Sequence, residues 1–140
     1  MAHLGTHEAL MRRWFEEVWN QGREAAIDEM FEAGGLAHGL GPDPIRGPAE
    51  FKPFYRALRS AFSQLRVTVE RVVESGDLAY AYCAVAATHK RTGRAVNFTG
   101  GALVRVANGR VQEAWNSWNF LDFLVQVGEV DGGAMNRAMW

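Results

Sequence analysis

One cysteine in 140 residues, Cys83, excludes an internal disulfide. Its neighbours Tyr82 and Ala84 offer no cation or His motif that would hold it as a thiolate, so an inert interior strand residue is the expectation. Charge of one sign is missing too. Fifteen Lys and Arg stand against sixteen Asp and Glu, a formal net charge of -1, and this builds no electropositive face of the kind that phosphate backbones require. Nucleic acid and membrane surfaces are therefore not expected as partners. No stretch approaches the roughly 20 apolar residues that span a bilayer, and the opening MAHLGTHEAL lacks the basic segment and apolar run of a secretory signal. The expectation is a soluble protein of the cytoplasm. Repeats and low-complexity tracts are absent as well. Gly39 and Gly41 fall short of the GxGxxG order that cradles a dinucleotide, so no cofactor is implied.

What the chain has is apolar bulk. Hydrophobic residues make up 48%, with five Trp and eight Phe, which fits one compact domain over residues 1–140, residues 1–5 and 129–140 being terminal extensions. From Thr6 to Gln21, the residues Leu10, Met11, Trp14, Phe15, Val18 and Trp19 recur at helical offsets. Thr6 suits the start of that helix and Gly22 its end. A shorter helix, Glu24 to Glu32, turns Ile27, Met30 and Phe31 inward and is broken at Gly34 and Gly35. Leu36 to Pro48 is rich in Gly and Pro and reads as loop, with an extended piece around Leu36 to His38. Pro48 suits the first position of a third helix whose inward stripe is Phe51, Phe54, Tyr55, Leu58 and Phe62. Pro53 lies past the first turn, where proline costs about 3 kcal/mol, and predicts a kink or a late start.

From Leu65 onward the period changes to two. Ser75-Gly76-Asp77, Lys90 to Arg94 around Gly93, and Asn108-Gly109 divide four strands, 65–74, 78–89, 95–106 and 110–119. Helices first and an antiparallel meander afterwards is the α+β pattern, with helices packed against one face of the sheet. The strand LAYAYCAVAATH is apolar on both faces, so its second face needs cover and a homodimer is expected.

The run VQEAWNSWNFLDFLVQVG, Val111 to Gly128, reads as a strand with two tryptophans that turns into a short apolar helix. Strict alternation puts Val111, Glu113, Trp115, Ser117 and Asn119 on one face, with Gln112, Ala114, Asn116, Trp118 and Phe120 on the other. Each face mixes a large aromatic with small polar groups, as the wall of an apolar-ligand pocket does. Trp115 and Trp118 read equally well as plain core on the two sides of a buried sheet.

Taken in order, RWFEEVWNQG, AHGLGPDPIRGPAEFK and THKRTGRAVNFTGGALVRVANGRVQEAWNSWNFLDFLVQVG, the chain up to Gly128 resembles the SnoaL-like polyketide cyclase branch of the nuclear transport factor two-like superfamily. The resemblance implies a cone-shaped α+β barrel, in which N-terminal helices pack on a curved antiparallel or mixed sheet around an apolar cavity. The same scaffold serves ketosteroid isomerase, scytalone dehydratase and limonene epoxide hydrolase. In the cyclases, an aspartate after the second tryptophan-like position of the last strand takes and returns the proton of an aldol closure, without metal or cofactor. Asn119 stands there in this chain. An amide donates a hydrogen bond worth about 1–3 kcal/mol to a carbonyl or enolate oxygen, yet accepts no proton from carbon. Asp122, three residues on, suits a solvated helix cap.

The resemblance places His38 as a pocket-facing histidine, and imidazole is the side chain best suited to proton transfer near neutral pH. A loop histidine bonded to backbone and solvent is the open alternative. His89, beside Lys90 and Arg91 at a strand end, reads as an exposed hairpin residue. His3 and His7 share a helical spacing, but no third ligand is in register and no metal site is expected. Glu113 shares the parity of Asn119, yet about 20 Å of strand separates them. The expected site therefore has His38 as base and Asn119 as oxyanion donor, in a cavity lined by Trp14, Phe15, Trp19, Phe54 and Trp115. Tyr82 and Ser117 are its polar contacts, although Tyr80 and Tyr82 also suit core or dimer packing.

Two functions follow. One is an enzyme of cyclase, isomerase or hydrolase type acting on a small apolar carbonyl compound. The other is a module that binds such a molecule unchanged, for which the missing aspartate argues. A dimerising structural protein without a ligand predicts solid packing where the cavity would be. The tail EVDGGAMNRAMW is either loose or docks Trp140 on a partner or over the pocket mouth.

Overall fold

The computed structural model describes residues 5–140, so the pairing of His3 with His7 lies outside the described residues. Helix α1, Thr6–Arg13, runs on into a π-helical segment, Trp14–Asn20, and Met11, Phe15, Val18 and Trp19 are buried along it. Thr6 is not its cap. Gly5 holds that position, and the free amide of Glu8 donates across space to Glu74 Oε1 at 2.9 Å. At the far end Asn20 takes over: its Nδ2 donates to Val67 O at 2.9 Å and its Oδ1 accepts from Val67 N–H at 2.7 Å. Val67 lies on β3, Phe62–Ser75, an edge strand, and Asn20 gives its outward backbone groups partners.

Helix α2, Ala25–Met30, is shorter than the spacing predicts, and the glycines that were expected to break it lie inside strand β1, Phe31–His38. β1 runs parallel to β6, Arg110–Trp118, with its register shifting between Phe31 and Leu36. A Cβ on Gly35 would come within 2.6 Å of the Phe31 ring and 3.1 Å of Gln112 O, so glycine here permits an irregular strand. Local turn chemistry is overridden by a long-range pairing.

Two residues, Ile45–Arg46, form β2. Helix α3 then spans Gly47–Ser60 with Pro53 in its interior, so no late start occurs. Pro53 is exposed, and the carbonyl its missing N–H leaves free faces water, while Phe51 and Tyr55 anchor the opposite side. Tyr55 hydroxyl donates to Val18 O at 2.7 Å, tying α3 to the π-helical segment. Phe62, expected in the stripe of α3, instead opens β3.

β3, β4 (Leu78–His89), β5 (Ala95–Ala107) and β6 form the expected meander. Asn108 at φ +55° and Gly109 at φ +73° close the last hairpin as a type I′ turn demands. The sheet has the order β2-β1-β6-β5-β4-β3. It is mixed, because β1 and β6 are parallel, and its edges do not meet: the α+β cone is an open wrap, not a closed barrel. Among the described residues no helix is long and apolar enough to cross a membrane.

The inner face of the sheet carries the helices. Along β4, Ala79, Ala81, Cys83, Val85, Ala87 and His89 are all buried there. Burial pushes the Cys83 thiol up to about 12, so it is inert as a nucleophile. Among the described residues none covers the outer face fully, and Val73, Tyr80, Leu103 and Trp115 are exposed on it. After β6 come α4, Phe120–Gln126, and α5, Ala134–Met139. Trp140 is 91% exposed and so covers no pocket.

Candidate functional site

Between the helices and the inner face of the sheet lies an apolar cavity of about 480 Å³, neither sealed nor flat. That is a volume typical of small-molecule sites. Four of the expected lining residues, Trp14, Phe15, Trp19 and Phe54, do face it. The π-helical segment projects the first three, and α3 supplies Phe54 together with Phe51 and Leu58. Rings interlock, Trp14 tilted against Phe51 at 5.4 Å and Phe15 edge to face with Trp118 at 5.9 Å. Phe120 and Phe123 of α4 and Leu40 of the β1–β2 loop complete the wall.

The remaining expectations require correction, and one irregularity accounts for much of it. Arg105 pairs with Glu113, but Val106 pairs with Val111. β6 therefore carries one extra residue at that point, and the alternation counted from Val111 inverts beyond it. Ala114, Asn116 and Trp118 line the cavity; Trp115 and Ser117 turn to the outer face and do not. Tyr82, paired across β4 and β5 with Gly101 and across β3 with Arg71, shares that outer face.

Asn119 also lies outside the cavity wall. It is the exposed N-cap of α4, with Oδ1 accepting from Asp122 N–H at 3.0 Å. The cap role expected of Asp122 belongs to Asn119, and the amide expected as oxyanion donor lies outside the cavity. His38 is likewise outside. Ala37 pairs with Ala114 on the inner face, so His38 and its partner Trp115 face out. There the imidazole stacks on the Trp115 ring, 5.9 Å between centroids, and its Nε2 lies 2.7 Å from Glu113 Oε2. Arg105 approaches the same carboxylate at 3.6 Å.

Two polar residues that sequence reasoning did not assign to the site do line the cavity. Asn116 Nδ2 donates to His38 O at 3.1 Å, and its Oδ1 accepts from Trp118 Nε1–H at 3.1 Å. One Nδ2 proton is left for a ligand. His89 is only 7% exposed, a buried residue instead of the exposed hairpin residue expected. A signal for it existed: His89 has the same parity on β4 as Ala79, Ala81 and Cys83, the face that the helices cover. No Asp or Glu of the described residues lines the cavity, and among them no three His, Cys, Asp or Glu side chains group to hold a metal.

The sequence pattern of the SnoaL-like polyketide cyclases matches residues 9–127. No curated protein matches the chain. Solved structures do. TsrD from Streptomyces laurentii superposes with a TM-score of 0.81 at 18% identity, over 93% of this chain and 100% of TsrD. IdmH from Streptomyces antibioticus gives 0.76 at 23% identity, over 86% and 96%. A protein with a ketosteroid isomerase-like fold from Catenulispora acidiphila, in complex with trimethylamine, gives 0.75 at 16% identity, over 85% and 92%. At such identities the likeness is one of fold. The match over residues 9–127, on a cone of this architecture, places the chain in the SnoaL-like polyketide cyclase family.

Proposed function

We propose that the chain binds a small apolar, carbonyl-bearing molecule in its cavity without changing it. The observation that carries this reading is the wall itself, about 480 Å³ bounded by aromatic and aliphatic side chains with no carboxylate among them. Magnitudes decide what each part does. An aromatic ligand that buries about 250 Å² gains roughly 6 kcal/mol at ~25 cal/mol per Å², whereas the Asn116 N–H adds about 1 kcal/mol. Apolar burial sets affinity and Asn116 sets orientation. Tetralone is expected to displace a bound apolar dye, Nile red, about five-fold better than tetralin, and Asn116→Leu to erase that difference. Equal displacement by the two compounds in the parent protein would refute the carbonyl contact.

A cofactor-independent cyclase, isomerase or hydrolase is the second reading, favoured by family membership and by His89, among the described residues the one titratable side chain lining the cavity. A ligand recovered from the purified protein in altered form would decide for it.

We further propose that a second copy covers the outer sheet face. Val73, Tyr80, Leu103, Trp115 and His38 are direct partners strand to strand, a single row across five strands. An apolar row of this extent suits an isologous contact. Sedimentation should report a dimer, and Leu103→Glu, which sets like charges opposite one another across a two-fold axis, should weaken it about a hundred-fold. A parent protein that sediments as a monomer at all concentrations removes this proposal.

A further inference from the structure

We propose that His89 anchors a hydroxyl group of the bound molecule at the hairpin end of the cavity, with Thr92 as the residue that positions it. This rests on the cavity being a ligand site. The ring is held on two sides, by Phe62 at 5.9 Å and by Phe123 at 5.6 Å. A third restraint is polar, Nδ1 lying 2.8 Å from Thr92 Oγ1. Nε2 has no hydrogen-bond partner among the described residues, yet none of their side-chain nitrogens or oxygens is both buried and unpartnered. Nε2 is therefore accessible, and His89 is a residue of the cavity wall.

The preference for a hydroxyl follows from the Thr92 contact. Thr92 Oγ1 also accepts from Arg94 N–H at 3.3 Å, which leaves it one proton to give and one lone pair to offer. If Thr92 donates to Nδ1, Nε2 carries the ring proton and needs an acceptor; if Nδ1 donates, Nε2 is bare and needs a donor. A hydroxyl answers both arrangements, and a carbonyl answers only the first. The contact is also separate from that of Asn116. Asn116 pairs with Ala102 and Ala102 with Ala81, and His89 closes β4 eight residues beyond Ala81. The molecule that satisfies both has its hydroxyl and its carbonyl on different parts of an apolar body.

Naphthol and naphthalene, matched in shape, test this by calorimetric titration. The parent protein is expected to bind naphthol about ten-fold more tightly. In His89→Phe, which keeps an aromatic ring against Phe62 and Phe123, the ratio should fall to about two or less. His89→Gln, which can still donate and accept, should retain part of the preference, and serves if the Phe variant does not fold. Thr92→Val should lower the ratio about three-fold and Thr92→Ser should restore it. A naphthol preference that survives both His89 substitutions overturns the anchor. One that is lost in His89→Phe but survives Thr92→Val overturns the positioning role. If the parent protein binds the two probes equally, the anchor is wrong while the cavity stands. If it binds neither, the cavity reading fails and the anchor with it.

Discussion

Ala102→Trp is expected to abolish binding of Nile red, with affinity falling at least about a hundred-fold, or ~2.7 kcal/mol. Ala102 sits on the inner face of β5, directly paired with Asn116 on β6 and Ala81 on β4, and it lines the cavity. An indole there has nowhere to go but into the space the ligand would fill. Overpacking a core costs about 1–3 kcal/mol, but the site borders a void of about 480 Å³, so the fold should survive with little loss. Circular dichroism and the melting temperature separate the two effects. A folded variant that still binds the dye within about two-fold of the parent would place the dye elsewhere, on the exposed outer row, and would end the cavity proposal.

Gly39→Ala should destabilise the protein by about 3 kcal/mol or more, with the urea midpoint shifting at constant slope. Two causes add. Gly39 has φ +85°, a conformation that costs an L-residue roughly 1–2 kcal/mol. The added Cβ would also lie 2.1 Å from Asn116 O, a contact with backbone that no rotamer change relieves. Strands β1 and β6 would have to separate, and the Asn116 bond to His38 O would go with them. Apolar binding should therefore weaken in the same variant, because Leu40, the next residue, lines the cavity. A loss of stability below about 0.5 kcal/mol would mean that the two strands do not approach as described.

Read from particular residues, the helical stripe of Met11, Phe15, Val18 and Trp19 and the limits of β4 were legible because each depends on local periodicity alone. The cavity-facing roles of Trp14, Phe15, Trp19 and Phe54 belong with these: a broad apolar face on a helix has to be buried against a sheet. Asn108-Gly109 announced its turn for a similarly local reason, since few other residue pairs accept two positive φ angles.

β1 was legible only at its end, Leu36 to His38, because the two glycines inside it carry a turn signal that only the parallel partner β6 outweighs. Asn116 and Trp115 exchanged faces for a related reason. Alternation fixes which residues of a strand are neighbours on one face, but the face that meets the core is set by the register of the partner strand, and one extra residue between Val111 and Glu113 inverts it. His89 shows the same limit from the other side, since its charge-rich neighbours Lys90 and Arg91 suggest exposure and only the packing of Phe62 and Phe123 buries it. The amphipathic first helix, the four-strand meander and the family can be read from the sequence alone; long-range packing settles which polar groups look into the cavity, because that depends on strand register and on contacts between residues far apart in the chain.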